Sequence, residues 1–313
     1  MGPSALLACL LSLCAPLAGA QGEPGGRWGF IDRSGAWVIP PRYEAVRGFA
    51  AGLSAVRAGG VWGYIDRSGK TVIAPRFEDA WSFADGVAPV RLAGRWGYID
   101  RAGRAVIEPR FDEAGGFAEG LARVKQGALW GFIDKSGEFK IAPAFDFAGS
   151  FAEGLARAES GGKAGFIDHS GAWAVAAAFD EVRGFSEGMA AVAAGGRWGF
   201  IPRHGPTKLA FQYEGASSYS EGVAAVLRKR AWGFIDLRGR QALKPRYAAC
   251  SDFVAGLAAA KTGGSWGYID RAGSWKLPAR YADALDFSEG LAAVSVKSSS
   301  AKREPATGKN QLR

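Results

Sequence analysis

The chain has 313 residues, 48% hydrophobic and 22% charged, with 46 Gly, 3 Cys, 2 His and a formal net charge of +9. That apolar content excludes a disordered chain, and glycine without a three-residue period excludes a collagen helix. Two histidines and three cysteines leave little for a zinc site or a disulfide framework.

Residues 1–20, MGPSALLACLLSLCAPLAGA, hold no charged side chain. Their apolar run, 5–17, is shorter than the ~20 residues that span a bilayer. Ala18, Gly19 and Ala20 follow, small residues where a signal peptidase needs them. The pattern predicts a signal peptide over 1–20 with cleavage after Ala20, a short linker over 21–27, and a periplasmic or secreted mature protein. Cys9 stands too early for lipid attachment, and Leu13 spoils Cys14. Cys250 is then the one cysteine left, and with no histidine near it in sequence it reads as a small buried residue rather than a reactive thiol. No later segment is long and apolar enough to cross a membrane.

The dipeptide Trp-Gly recurs at Trp28, Trp62, Trp96, Trp130, Trp198, Trp232 and Trp266, always 34 residues apart except across Ala164-Gly165, which has lost its Trp. Eight repeats result, over 28–61, 62–95, 96–129, 130–163, 164–197, 198–231, 232–265 and 266–296, followed by a disordered basic tail over 297–313. Within the second repeat, Trp62-Gly63-Tyr64-Ile65-Asp66 predicts a short strand. Asp66-Arg67-Ser68-Gly69 suits a type I turn ending in a left-handed glycine. Thr71-Val72-Ile73 is the return strand, ended by Pro75, and Val87-Ala88-Pro89-Val90 is a third strand. Between them runs a linker anchored by Phe77 and Phe83. Both linker slots are aromatic in all eight repeats, which marks a packing ladder rather than a site. Short β-rich runs with Pro and Gly exclude the helical repeats that share this period.

Trp-Gly-Phe/Tyr-Ile-Asp-x-x-Gly, then Val-Ile-x-Pro-x-Phe/Tyr, then Phe-x-Glu-Gly-Leu-Ala-x-Val resembles the WG (KWG) repeat family of bacterial proteins, over residues 28–294. The resemblance implies a β-rich tandem array of variable copy number and no catalytic residues. Repeats five and six depart most, at Ala164, Ala177, Pro202 and Phe211, and looser packing or a bend is expected there. The fold expected is all-β: eight three-stranded repeats stacked as an open β-solenoid, with a closed propeller-like ring as the alternative. Closure is allowed because the chain begins on the Trp-Gly strand and ends on the strand that elsewhere pairs with it.

A catalytic group should break the repeat, and few residues do. His169 and His204 occupy turn slots and leave no partner set for nucleophilic catalysis. The ladder Asp32, Asp66, Asp100, Asp134, Asp168, Asp236 and Asp270 is explained by the turn, ahead of calcium or glycoside hydrolysis. Glu119, Glu153, Glu187, Glu221 and Glu289 read as turn contacts. The tail accounts for +4 of the charge, leaving +5 for the repeats. Arg33, Arg67, Arg101, Lys135 and Arg271 share one slot, and Arg42, Arg76, Arg110, Arg246 and Arg280 another. Stacked repeats would align them as basic stripes that attract anionic polymers.

Trp37, Trp173 and Trp275 share a slot that elsewhere holds Thr, Ala, Phe or Gln, and Trp81 stands alone, so the fold does not demand them. Aromatic platforms of this kind stack on sugar rings and cations. Trp37, Trp81, Trp173, Trp275, Arg42, Arg76 and Arg110 are therefore the candidate ligand contacts. Neither a catalytic residue nor a metal nor a cofactor is expected. The sequence points to an exported binding or scaffolding protein with an envelope glycan or anionic polymer as partner, not nucleic acid. The alternative is a protein–protein scaffold in the periplasm or at the cell surface, and a carbohydrate-active enzyme ranks third.

Overall fold

A computed structural model describes residues 26–203 and 209–296; the signal-peptide, His204 and basic-tail readings lie outside them. The described residues form eight four-stranded antiparallel sheets. Blade 1 comprises Ala45–Val46, Leu53–Ala58, Val61–Asp66 and Thr71–Phe77, and blades 2 to 7 repeat this order along the chain. Blade 8 combines both ends: Asp283–Ser288 and Leu291–Val296 pair with Arg27–Ile31 and Trp37–Tyr43. Trp28 faces Ser295 and Phe30 faces Ala293 across that join.

The array is thus a closed eight-bladed β-propeller, not an open solenoid. Closure gives the Trp-Gly strand of the first repeat the partner it has in every other blade, and removes two unpaired sheet edges. Each blade also has four strands where three were expected. The additional one is the inner edge, built from the linker. In blades 1, 2, 5 and 7 it is only two residues long, as in Ala45–Val46, whereas in blade 3 it runs over Glu113–Ala118.

The core lies between blades. Phe30, Tyr64, Tyr98 and Phe132 each meet an aromatic of the next blade's inner-edge segment, Phe49, Phe83, Phe117 and Phe151, at centroid distances of 4.8 to 5.1 Å. The aspartate turn forms as expected: Asp66 Oδ1 accepts the Ser68 N–H, the Ser68 hydroxyl and the Lys70 N–H at 2.9, 2.6 and 3.0 Å. Gly69 beyond it takes a φ of 84°.

Pro75 does not end its strand. It lies within Thr71–Phe77 at a bulge on the exposed outer edge, where a missing donor costs little. That bulge explains the Trp-Gly dipeptide. A Cβ on Gly63 would stand 2.6 Å from the Ile73 carbonyl oxygen and 2.7 Å from Pro75 N. At Ala164 the pairing with Phe179 is kept, but without an indole the outer strand packs more thinly, and Val175 and Phe179 are only half-buried.

Candidate functional site

Most recurring charged groups turn out to stitch blade to blade. Arg42, Arg76 and Arg110 donate to the carbonyls of Gly69, Gly103 and Gly137 in the next blade at 2.8, 2.6 and 2.6 Å. Each guanidinium also lies about 5 Å from the centroid of its neighbouring ring, Tyr43, Phe77 or Phe111. The other basic slot behaves alike: Lys135 donates to the Asp85 carbonyl at 2.9 Å, and Arg33 and Arg271 donate to those of Ala255 and Glu221, all in the preceding blade. The carboxylates of Glu119, Glu153, Glu187, Glu221 and Glu289 accept the N–H of Gly154, Gly188, Gly222, Gly256 and Gly52. The last of these crosses the closure. The basic stripes are therefore joints of the ring, with part of their donor capacity already used.

The candidate tryptophans separate. Trp37, Trp173 and Trp275 open the outer strands of blades 8, 4 and 7 and remain 40%, 38% and 37% exposed. Trp173 and Trp275 stand edge-on to Phe145 and Tyr247, the aromatics that end the preceding blades' outer strands, at 5.8 and 6.2 Å. Trp81 belongs instead to the inner edge, where Arg47 stacks 4.2 Å from its ring centroid.

The arginine slot of one blade and the tryptophan slot of the next flank the same rim groove. Between blades 2 and 3 this groove is a cavity of about 380 Å³ lined by Arg110, Phe111, Gln126, Gly137, Glu138 and Phe139. A smaller cavity at the equivalent place between blades 5 and 6 is lined in part by Tyr213, Arg228, Gly239 and Gln241. None of the candidate contacts Arg42, Arg76 and Arg110 shares a groove with a candidate tryptophan: the arginine slot preceding Trp275 holds Arg246, that preceding Trp37 holds Arg280 and that preceding Trp173 holds Ala144. Arg246 donates to the Gly273 carbonyl at 2.5 Å, and Arg280 to that of Gly35 at 3.4 Å.

The inner edges face one another around the axis, as shown by Ser82 and Ser218 donating to the Gly48 and Gly184 carbonyls of the preceding blades at 3.4 and 3.1 Å. Two slots there carry unrecognised chemistry. One holds buried or half-buried arginines that reach the next blade: Arg47, Arg123 and Arg157 donate to the carbonyls of Ala80, Ala148 and Val182 at 3.3, 2.7 and 3.3 Å. They start from different strands. Arg47 rises just beyond the inner strand, its N–H donating to the Ala55 carbonyl at 2.9 Å, whereas Arg123 and Arg157 rise from the second strand over Gly115 and Gly149. A Cβ at those glycines would fall 2.6 Å from Arg123 Nε and 2.5 Å from Arg157 Cγ. Burial, then repulsion from Arg123 and Arg183, depresses the Arg157 guanidinium to about 10.

The other slot reads Gly48, Ser82, Gly116, Ser150, Gly184, Ser218, Asp252 and Asp286 around the ring. Six small residues and two adjacent aspartates make the clearest break in the repeat. Burial raises the Asp252 carboxyl, with the Ser217 hydroxyl and Arg183 partly offsetting it. Burial and the charge of Asp252 push Asp286 up to about 6, against the Ser251 hydroxyl. Comparing the linkers column by column in the sequence would have exposed both aspartates.

A closed ring of eight four-stranded antiparallel sheets defines an eight-bladed β-propeller. The WG containing repeat matches at residues 28–62, 62–96, 96–130, 130–163, 165–198, 198–229, 232–266 and 266–298, and the chain belongs to that family. No curated protein matches the sequence. Among solved structures it is similar to dihydro-heme d1 dehydrogenase NirN in complex with DHE, at 13% identity and a TM-score of 0.55, covering 81% of this chain and 73% of that one. A structure described as the eukaryotic initiation factor gives 11% identity and 0.53, covering 83% and 86%. PorZ of Porphyromonas gingivalis gives 10% and 0.45, covering 74% of this chain, which spans only 37% of that protein's length. At these identities the likeness is one of fold alone.

Proposed function

We propose that this propeller is an exported, non-catalytic binding platform of the cell envelope that takes glycan chains along its rim. The groove between blades 2 and 3 carries the reading. Its volume of about 380 Å³ falls within the ~300–1,000 Å³ of small-molecule sites. Phe111 and Phe139 offer an apolar wall, while Arg110, Gln126 and Glu138 add planar polar groups at its edge. Apolar ring faces beside hydrogen-bonding edges suit sugar rings, whose own faces and hydroxyls divide the same way. Trp275 beside Arg246 and Trp37 beside Arg280 repeat the theme in adjacent blades. The leader-like residues 1–20 support export.

Because the rim arginines already donate to glycine carbonyls, stacking rather than net charge supplies the affinity, and binding depends only weakly on salt. The test is retention of the mature protein on isolated sacculi, lipopolysaccharide and anionic vesicles at low and high salt, with W37A/W275A alongside. Salt-tolerant retention on a glycan fraction that the double variant loses supports the proposal. Retention that collapses with salt, or no retention on any fraction, overturns it; the latter leaves the protein-scaffold reading, to be pursued by cross-linking.

A further inference from the structure

We infer that the outer edge of blade 4 is the contact through which two copies of this chain pair, strand to strand and antiparallel. Every outer strand is a sheet edge, with no strand beyond it among the described residues. Such edges recruit other strands unless proline, charge or a bulge guards them. In blades 8, 1, 2, 3, 6 and 7 the outer strand contains both a proline and a charged residue, as in Thr71–Phe77 with Pro75 and Arg76. Blades 4 and 5 have neither: Trp173–Phe179 reads WAVAAAF and Leu209–Tyr213 reads LAFQY.

The difference falls on the bulge. In blade 4, Ala176, Ala177 and Ala178 stand opposite the single residue Gly165, between the pairs Phe166–Val175 and Ala164–Phe179. One glycine cannot satisfy three N–H and three C=O groups, so part of that backbone is left for a partner beyond the edge. Where five other blades place proline, Ala177 keeps its N–H. Ala174, Ala176 and Ala178 are exposed along the same strand.

The strand is also its own complement. Turned about a two-fold axis through Ala176, Trp173 meets Phe179 of the second copy, Ala174 meets Ala178 and Val175 meets Ala177. Aromatic pairs then close both ends of the ladder while small residues fill its middle, and cross-strand aromatic pairs add to the backbone bonds. The contact is isologous and therefore stops at two copies. Charge selects the same place. The chain carries +9, and self-pairing of any of the six guarded strands would bring like charges into one contact. The edge of blade 5 is less open, because its strand is two residues shorter and Gln212 there accepts from the Arg228 guanidinium at 2.9 Å, which returns a cation to that edge. A single strand pair lies at the small end of specific interfaces, so the dimer is reversible.

The experiment is sedimentation equilibrium of the mature protein across the micromolar range. The expected result is an average mass that rises with concentration and levels off at two copies. Ala177→Pro restores the residue that five other blades hold, and Ala176→Lys sets a cation against its own image in a slot that Lys244 fills in blade 6. Each should weaken dimerisation by about ten-fold or more, with an unchanged circular dichroism spectrum. Ala74→Lys, the same change in blade 1, should dimerise as the parent does. Mixing A176K with Ala176→Glu should restore the dimer, a rescue that a folding defect cannot produce. A parent that stays monomeric overturns the inference and leaves the edge to a strand from another protein. A dimer that folded A176K and A177P fail to weaken overturns it as well.

Discussion

Gly97→Ala isolates the reason for the Trp-Gly dipeptide. A Cβ at Gly97 would lie 2.5 Å from the Ile107 carbonyl oxygen, 2.7 Å from Pro109 N and 2.9 Å from the Glu108 carbonyl carbon. All three are backbone atoms of one bulge, so no side chain can turn away, and the outer strand must lift from the third strand. Overpacking in cores costs about 1–3 kcal/mol where side chains adjust, and a backbone clash belongs at or above the upper end. At roughly 2–4 °C per kcal/mol for a large domain, about 3 kcal/mol lowers the melting temperature by about 6–12 °C. Gly184→Ala is the matched control: its Cβ meets nothing within 4 Å, and it has no positive φ. The control should be neutral or stabilise by up to about 1 kcal/mol, since it only narrows the unfolded ensemble. Calorimetric melts at several scan rates decide the matter. A G97A melting temperature within about 2 °C of the parent would refute the bulge argument at that ~3 kcal/mol scale.

Trp28 is fully buried in the blade that joins the two ends, so Trp28→Ala should cost about 3–5 kcal/mol; an unchanged thermal melt would mean that the ring does not close there. The carboxyls of Asp66, Asp134 and Asp168 are held below their ordinary values chiefly by bonds from Ser68, Ser136 and Ser170. Their folded pKa lies under the unfolded one, so this contribution is complete above about pH 4 and fades as pH falls further, which an acid titration by circular dichroism would follow. Asp286 has the opposite sign: with its folded pKa raised to about 6, stability declines as pH rises from about 4 through 6. Asp286→Asn should therefore raise the melting temperature at pH 8 and leave it nearly unchanged at pH 4. Cys250 is buried between blades, so it should resist a thiol reagent under native conditions and react on unfolding in urea.

The Trp-Gly strand, the aspartate turn and both aromatic ladders were readable because each is a local device that returns at a fixed interval. The inner strand was not, since Ala45–Val46 and Asp79–Ala80 are two residues long and show no alternation. The closed ring was readable as the alternative to an open solenoid, because the first Trp-Gly strand and the last strand are complementary, and Trp28 does meet Ser295; the strand twist that decides between them leaves no local signature. The basic stripes were visible as charge, but their use was hidden: only the fold shows Arg110 reaching the Gly137 carbonyl. The exchange between Arg47 over Ala55 and Arg123 over Gly115 emerges once positions on two strands are compared together. Asp252 and Asp286 stand in the sequence itself as the two acidic members of a column that otherwise holds Gly and Ser, outside the turn slots where the other repeated carboxylates lie.

The sequence repeat and the blade are out of phase: each repeat begins on a third strand and finishes on the second strand of the following sheet. Gene duplication or loss of one whole 34-residue unit therefore always leaves the same two half-sheets at the ends, complementary whatever the total. The joint places no limit on the number of copies; the angle between neighbouring sheets alone selects it. A lineage carrying this chain can thus enlarge or shrink the ring in unit steps without inventing a new fastener, and the eighth blade is the standing record of that freedom.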